Sequence, residues 1–482
     1  MKKKALLSSI LTIVLCLSLI AGSTFALFTS ETTVDIEVDA GRVNIEAGLT
    51  TPVLYSVQPD AAGTEFDENG KTYKYVEQKD TFANGGTATL DASNGVISLV
   101  NVTPGDKITF KLTGANTSDV AVQYRYKIEC IEGYDLMSGF VMTVEEVKYA
   151  SMAEYTSEWN PLAVKENITE NNEEGIQLAL ELPVSAGNEF QELDAKIKIS
   201  IEAVQNNADV SDIDTTTVKY ITTVNDATEL AAKLASDEYL HIFVDQNINN
   251  KVEITSDLTN KTIDANGNNV NLQFGKADAP IVLDNVVVMN LKDTADNVEG
   301  ITIGSYTSGD LTIIDSVLNS GASYSASAHG AIAGNSTGTN LDITIERCEL
   351  ISSAGDKYGL YLTNANNVTI RDTKFTGFGS WAILINGTVT GNVVVSGCTF
   401  TNCAGIYKCS VTGVEDWQTG SLNGNFTLAN NKMYNCTMKD GTYMQVKNLY
   451  GTVTFSNNTH NDVVVTVEDM KCDYLTNKYN GQ

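Results

Sequence analysis

The sequence predicts an all-β protein in two parts, an antiparallel sandwich followed by a parallel β-helix with a short capping helix at its start. Three observations carry this: alternating apolar and polar residues through the first half, a phrase recurring at a 25-residue spacing in the second, and a Gly-rich, Pro-poor composition (37 against 6 in 482 residues). Acidic residues outnumber basic ones 60 to 31, for a net charge of −29. Such a surface repels phosphate backbones and anionic lipid, which excludes non-specific nucleic-acid binding and adsorption to membranes.

Lys2, Lys3 and Lys4 precede an apolar run from Ala5 to Ile20, and Ala21 to Ala26 follow with mostly small residues. This reads as an export signal spanning 1–26, cut after Ala26. The competing reading is a retained anchor, because the apolar run approaches the ~20 residues that span a bilayer. Cys16 lacks the small residues before it that a lipid-modified cysteine requires. The expected product is secreted, extracellular or held at the cell surface, with no membrane segment after cleavage.

Residues 27–205 read as the sandwich. Val34, Ile36 and Val38 alternate with acids, and Val43 and Ile45 continue the pattern. Pro104-Gly105-Asp106 is a turn feeding Ile108, Phe110 and Leu112. Val120, Val122, Tyr124 and Tyr126 alternate again, as do Ile197, Ile199 and Ile201. Four of these segments carry a resemblance. AGSTFALFTSE (21–31), DAGRVNIEA (39–47), NVTPGDKITFKL (101–112) and KIKISIEAVQ (196–205) are similar, in order, to landmarks of the TasA-like and camelysin family of bacterial surface and biofilm-matrix proteins. The resemblance implies a jelly-roll fold and polymerisation by exchange of an N-terminal strand, for which residues 27–48 match. Camelysins have been classed as metallopeptidases, yet His241, His329 and His460 all lie in the second half and no His-Glu-x-x-His occurs. Peptidase activity is therefore not carried over, and no metal site is assigned.

Residues 206–220 are polar and acidic and read as a joint. Asp226 and Glu229 then open a short amphipathic helix through Leu230 and Leu234, placed to cover the first coil of a β-helix over 221–482. Ile263, Val288 and Ile313 are 25 apart, as are Ile345, Ile370 and Val395; Leu428 and Phe455 continue the series. The phrases TIIDSVL (312–318), TIERCEL (344–350), TIRDTKF (369–375) and VVSGCTF (394–400) surround these centres. Short β-branched runs broken by Asn, Gly, Ser and Thr suit coils stacked at about 4.8 Å. This half resembles the right-handed parallel β-helix superfamily of pectate lyases, polygalacturonases and surface adhesins, a resemblance that speaks to fold more than to activity.

Stacking turns sequence offsets into neighbours. Cys403 and Cys436 share a column on adjacent coils, either as a disulfide or as free thiols in an apolar stack. Asp315, Glu346 and Asp372 are the candidate catalytic carboxylates of a polysaccharide lyase or glycoside hydrolase. Arg347 and Arg371 interleave with them, which instead predicts a surface ion-pair ladder holding the acids ionised. Trp381 in a coil turn, and Trp417 with Asp416 in the largest insertion, are candidates for stacking on a sugar or anchoring a partner. No cofactor is expected. Calcium is a candidate ligand for the many acids, although no calcium-loop phrase occurs. The expected role is a structural or adhesive protein of the surface or matrix, with a homopolymer, a glycan or a surface protein as partner. The alternative is a polysaccharide-active enzyme.

Overall fold

The computed structural model describes residues 30–32 and 43–480, apart from 59–62, 211–214, 275–279, 292–300, 304–308, 321–329, 335–340, 353–357, 410–420 and 447. The export signal, the Val34–Val38 segment, His329, Asp416 and Trp417 lie outside the described residues. The chain divides into two compact units, Met1–Ile221 and Thr222–Gln482.

Besides a two-stranded sheet, Thr169–Glu170 with Glu173–Glu174, the first unit contains two large antiparallel sheets. In one, Thr87–Asp91, Val96–Val100, Ala195–Gln205 and Val122–Glu132 follow one another, with Met152–Thr156 and Asn160–Leu162 beyond. In the other, Asp106–Asn116 is central, flanked by Ile176–Glu181 on one side and by Val53–Val57 and Ile45–Leu49 on the other. Alternation decides which side chains enter the core. Ile108, Phe110 and Leu112 are buried from one sheet, and Tyr124, Tyr126, Ile197 and Ile199 from the other. The Pro-Gly-Asp turn works through its acid. Gly105 takes φ +93°, and Asp106 folds back to accept from Thr103 N (2.8 Å), Thr103 Oγ1 (2.9 Å) and, across the strand pair, Ser56 Oγ (2.6 Å). Burial nonetheless raises the Asp106 pKa above its ordinary value.

Part of the joint read at 206–220 is strand. Thr217–Val224 extends there, and Thr217–Tyr220 pairs antiparallel with Met152–Thr156. The Thr215–Thr217 run looked polar, but threonine is β-branched and suits an extended backbone.

The second unit opens with the helix Ala227–Leu234. Asp226 accepts from the backbone N–H of Thr228 (2.8 Å) and Glu229 (2.9 Å), Glu229 accepts from Asn225 N (2.7 Å), and Leu230 and Leu234 are buried. The chain then winds into a right-handed β-helix whose coils build three parallel ladders. The first runs from Tyr239–Val244 to Val453–Ser456, and the second from Val317–Ser320 to Thr459–His460. The third runs from Ile248–Ile254 to Met444–Val446. In the first ladder Ile313, Ile345, Ile370, Val395, Leu428 and Phe455 are register partners in succession, as their spacing predicted.

Upstream the register differs. Ile263 pairs with Val288, but Val288 pairs with Leu318, whereas Ile313 pairs with Leu283 and Leu283 with Leu258. The nine-residue strand Ile281–Met289 serves two ladders at once, its start matching Gly309–Ile314 and its end Val317–Ser320. A fixed 25-residue spacing lands on Val288, whereas Leu283 of the same strand is the column partner of Ile313. Inside the coils, Leu350, Phe375, Phe400, Met433 and His460 form one inward column, with the Phe375 and Phe400 rings stacked at 5.0 Å.

Candidate functional site at the coil corner

Between the first and second ladders each coil turns a corner, and the turning residue has a left-handed backbone. Asn260, Asn285, Asp315, Arg347, Asp372, Gly397, Asn430 and Asn457 occupy it, each two residues past its column partner in the first ladder, with φ between +49° and +67°. Asn, Asp and Gly adopt this conformation at least cost, which explains why they recur. The candidate carboxylates Asp315 and Asp372 are thus corner residues, a geometric reason for their presence that has nothing to do with proton transfer.

The next residue points inward. Ser316, Cys348, Thr373, Cys398, Asn431 and Asn458 are all buried. Several accept from the backbone N–H of the preceding coil: Ser316 Oγ from Val286 (3.0 Å), Asn431 Oδ1 from Cys398 (2.9 Å) and Asn458 Oδ1 from Asn431 (3.1 Å). A corner interrupts the backbone ladder, and the side chain of the following coil supplies the missing acceptor.

Outside, the charges interlock. Arg347 grips Asp315 with two parallel bonds, Nε to Oδ1 and Nη2 to Oδ2, both 2.7 Å. Glu346 lies between two guanidinium groups, 3.4 Å from Arg347 Nη1 and 3.5 Å from Arg371 Nη1. Asp372 Oδ1 reaches over the next coil, where a Cβ on Gly397 would lie 2.1 Å from it. The hydrogen bond from Arg347 holds the Asp315 carboxyl below its ordinary pKa. Asp315 is therefore poorly suited to act as a general acid, because its charged form is the favoured one.

Trp381 is not available to a sugar. Although it lies in a coil turn as expected, it is only 2% exposed, against Ala333, Tyr361 and Leu384. Gly405 permits this: a Cβ there would sit 2.5 Å from Trp381 Cε3. Lys408 Nζ lies 5.3 Å from the ring centroid. Cys403 and Cys436, offered as a candidate disulfide, are both buried free thiols. The two thiols interact with each other across adjacent coils, and each sulfur also lies near a strand carbonyl, Cys403 at 3.5 Å from Thr401 O and Cys436 at 3.4 Å from Phe400 O. Among the described residues no group of His, Cys, Asp and Glu could hold a metal ion, and no helix is long and apolar enough to cross a membrane.

Residues 299–468 match the family model of the right-handed β-helix region. This assigns that segment to a fold class that the ladders display directly. No curated protein and no solved structure matches the chain, and the family match does not extend into the first unit.

Proposed function

We propose that this is a secreted bacterial surface or biofilm-matrix protein with a structural and adhesive role, the first unit serving assembly and the β-helix binding a glycan or a partner protein. One observation carries this reading over the enzymatic one: two of the three candidate carboxylates are engaged by arginines, Asp315 in a bidentate pair and Glu346 between two guanidinium groups. A glycosidase needs two carboxyls whose proton affinities are driven apart, and the Arg347 guanidinium favours the charged form of Asp315.

Assembly through an N-terminal strand is the TasA-like element of the proposal. It is supported by the antiparallel pairing of Ser30–Thr32 with Ile201–Ala203, which makes that sheet edge an acceptor for an N-terminal segment. Electron microscopy of the purified mature protein tests it. Filaments are expected from the intact chain and not from one lacking residues 27–38; unchanged filaments would reject strand exchange. A panel of acidic and neutral polysaccharides, with and without calcium, tests the other half. No turnover is expected, and cleavage that disappears in Glu346→Gln or Asp372→Asn would establish the polysaccharide-active alternative.

A further inference from the structure

The outer face of the first unit's second sheet holds a feature that neither the assembly role nor the β-helix uses. Along Val53–Val57 the buried residues are Leu54 and Ser56, so Tyr55 points away from the core. Lys107, Thr109 and Lys111 project from the same outer face of Asp106–Asn116, where the alternating Ile108, Phe110 and Leu112 point inward. Tyr55, Thr64, Tyr75, Lys107 and Thr109 line a cavity of about 180 Å³. A second cavity of about 290 Å³ is lined by Lys111, Asn171, Glu173, Gln177 and Ala179 among others. Thr109 and Ala179 are register partners, so the two cavities adjoin across a single strand pair.

The two ends differ in chemistry. At one end Phe66 stacks on Tyr75, with centroids 4.3 Å apart and planes 13° apart, and on Tyr73 at 5.7 Å. At the other end are amides and carboxylates, with Lys111 paired to Glu173 at 2.9 Å. Between them lies Tyr75, which is 7% exposed; its hydroxyl makes no hydrogen bond of ordinary length, although the Glu181 carboxylate stands beside it. Buried hydroxyls are nearly always satisfied, so a phenol that lines a cavity beside a carboxylate without closing a bond to it has a donor that a ligand hydroxyl can take up.

We propose that this groove is a binding site for an uncharged pyranose oligosaccharide. The aromatic wall offers an apolar surface to the C–H face of a sugar ring. The Tyr75 O–H supplies a donor to a ring hydroxyl, and Gln177 and Asn171 offer both donors and acceptors. Glu146, Glu170 and Glu173 line the second cavity and would repel a polyanion, so the fit is to a neutral glycan. This goes beyond the function proposed above and does not rest on it, since filament formation and binding by the β-helix are read by separate measurements.

Calorimetry of the full mature chain with neutral β-1,4-linked hexaoses of glucose and of N-acetylglucosamine, and with polygalacturonate, tests the site. A neutral hexaose is expected to bind, with an affinity that changes little between low and high salt, and polygalacturonate is not. Tyr75→Phe keeps the ring and removes only the hydroxyl; it and Tyr55→Ala are each expected to weaken binding about tenfold. Tyr75→Phe should melt as the parent does, which separates loss of binding from loss of fold. Absence of neutral-glycan binding, binding of the polyanion alone, or parental affinity in Tyr75→Phe would overturn the proposal.

Discussion

The two units are made of similar strands but specify their neighbours differently. In the sandwich, Ile45 pairs with Asn116 and Leu99 with Ala195, separations that follow no period. In the β-helix, Ile345 pairs with Ile370 and Ile370 with Val395, and the same step holds for the residues on either side. Nearest-neighbour stacking makes each coil a restatement of the previous one, so a defect acts through the two coils it touches. A sandwich core is shared by strands far apart in sequence, and a defect there is felt by both sheets.

The largest expected way to break the repeat is from inside. Phe400→Ala removes a ring stacked at 5.0 Å on Phe375 and should cost about 3–5 kcal/mol. Denaturant unfolding followed by probes in each unit should show the second unit's transition moving to lower denaturant while the first unit's stays in place.

Acid should separate the units next, because their buried titratable groups have opposite signs. Burial lowers the His241 pKa from 6.5 to about 4, so between those values the unfolded chain holds more protons than the native one. Its contribution is present above pH 6.5 and fades as pH falls toward 4, by on the order of 3 kcal/mol. Asp106 in the sandwich is raised, so its contribution is present at low pH and lost as pH rises through its folded value. Melting curves from pH 7 to 4.5 should show the β-helix weakening the more, with His241→Gln flattening that dependence.

At the corner, Gly397→Ala forces a Cβ into a φ of +67° and against Asp372, at an expected cost of about 1–2 kcal/mol in melting experiments. Asn430→Gly, at the equivalent position one coil on, should be close to neutral. The smallest effect belongs to the exposed ladder. Arg347→Gln should change stability by less than about 1 kcal/mol, and the difference should shrink further in high salt.

What could be read in advance follows from the same contrast. The column from Ile313 to Phe455 was legible because every coil repeats an apolar centre in a similar phrase, at intervals of 25 to 33 residues. The slip at Val288 arose where one long strand feeds two ladders and offers two apolar candidates. Asp315 and Asp372 drew attention as carboxylates, while their column neighbours Asn430, Asn457 and Gly397 already signalled a left-handed turn. Trp381 was misjudged because its cover, Gly405, lies on the following coil and is conspicuous only by lacking a side chain. The aromatic groove was missed because Tyr55, Phe66 and Tyr75 come from three strands whose pairing has no periodic signature.

The 25-residue step from Ile345 to Ile370 and from Ile370 to Val395 also has a genetic consequence. Loss of the 25 codons for residues 371–395 would join Ile370 directly to Ser396, restoring a corner at Gly397 and an inward residue at Cys398. Recombination between such near-equivalent stretches could shorten or lengthen the β-helix by whole turns without disturbing the helix Ala227–Leu234 at its start, so allelic size variation is the form of divergence this half of the molecule tolerates most readily.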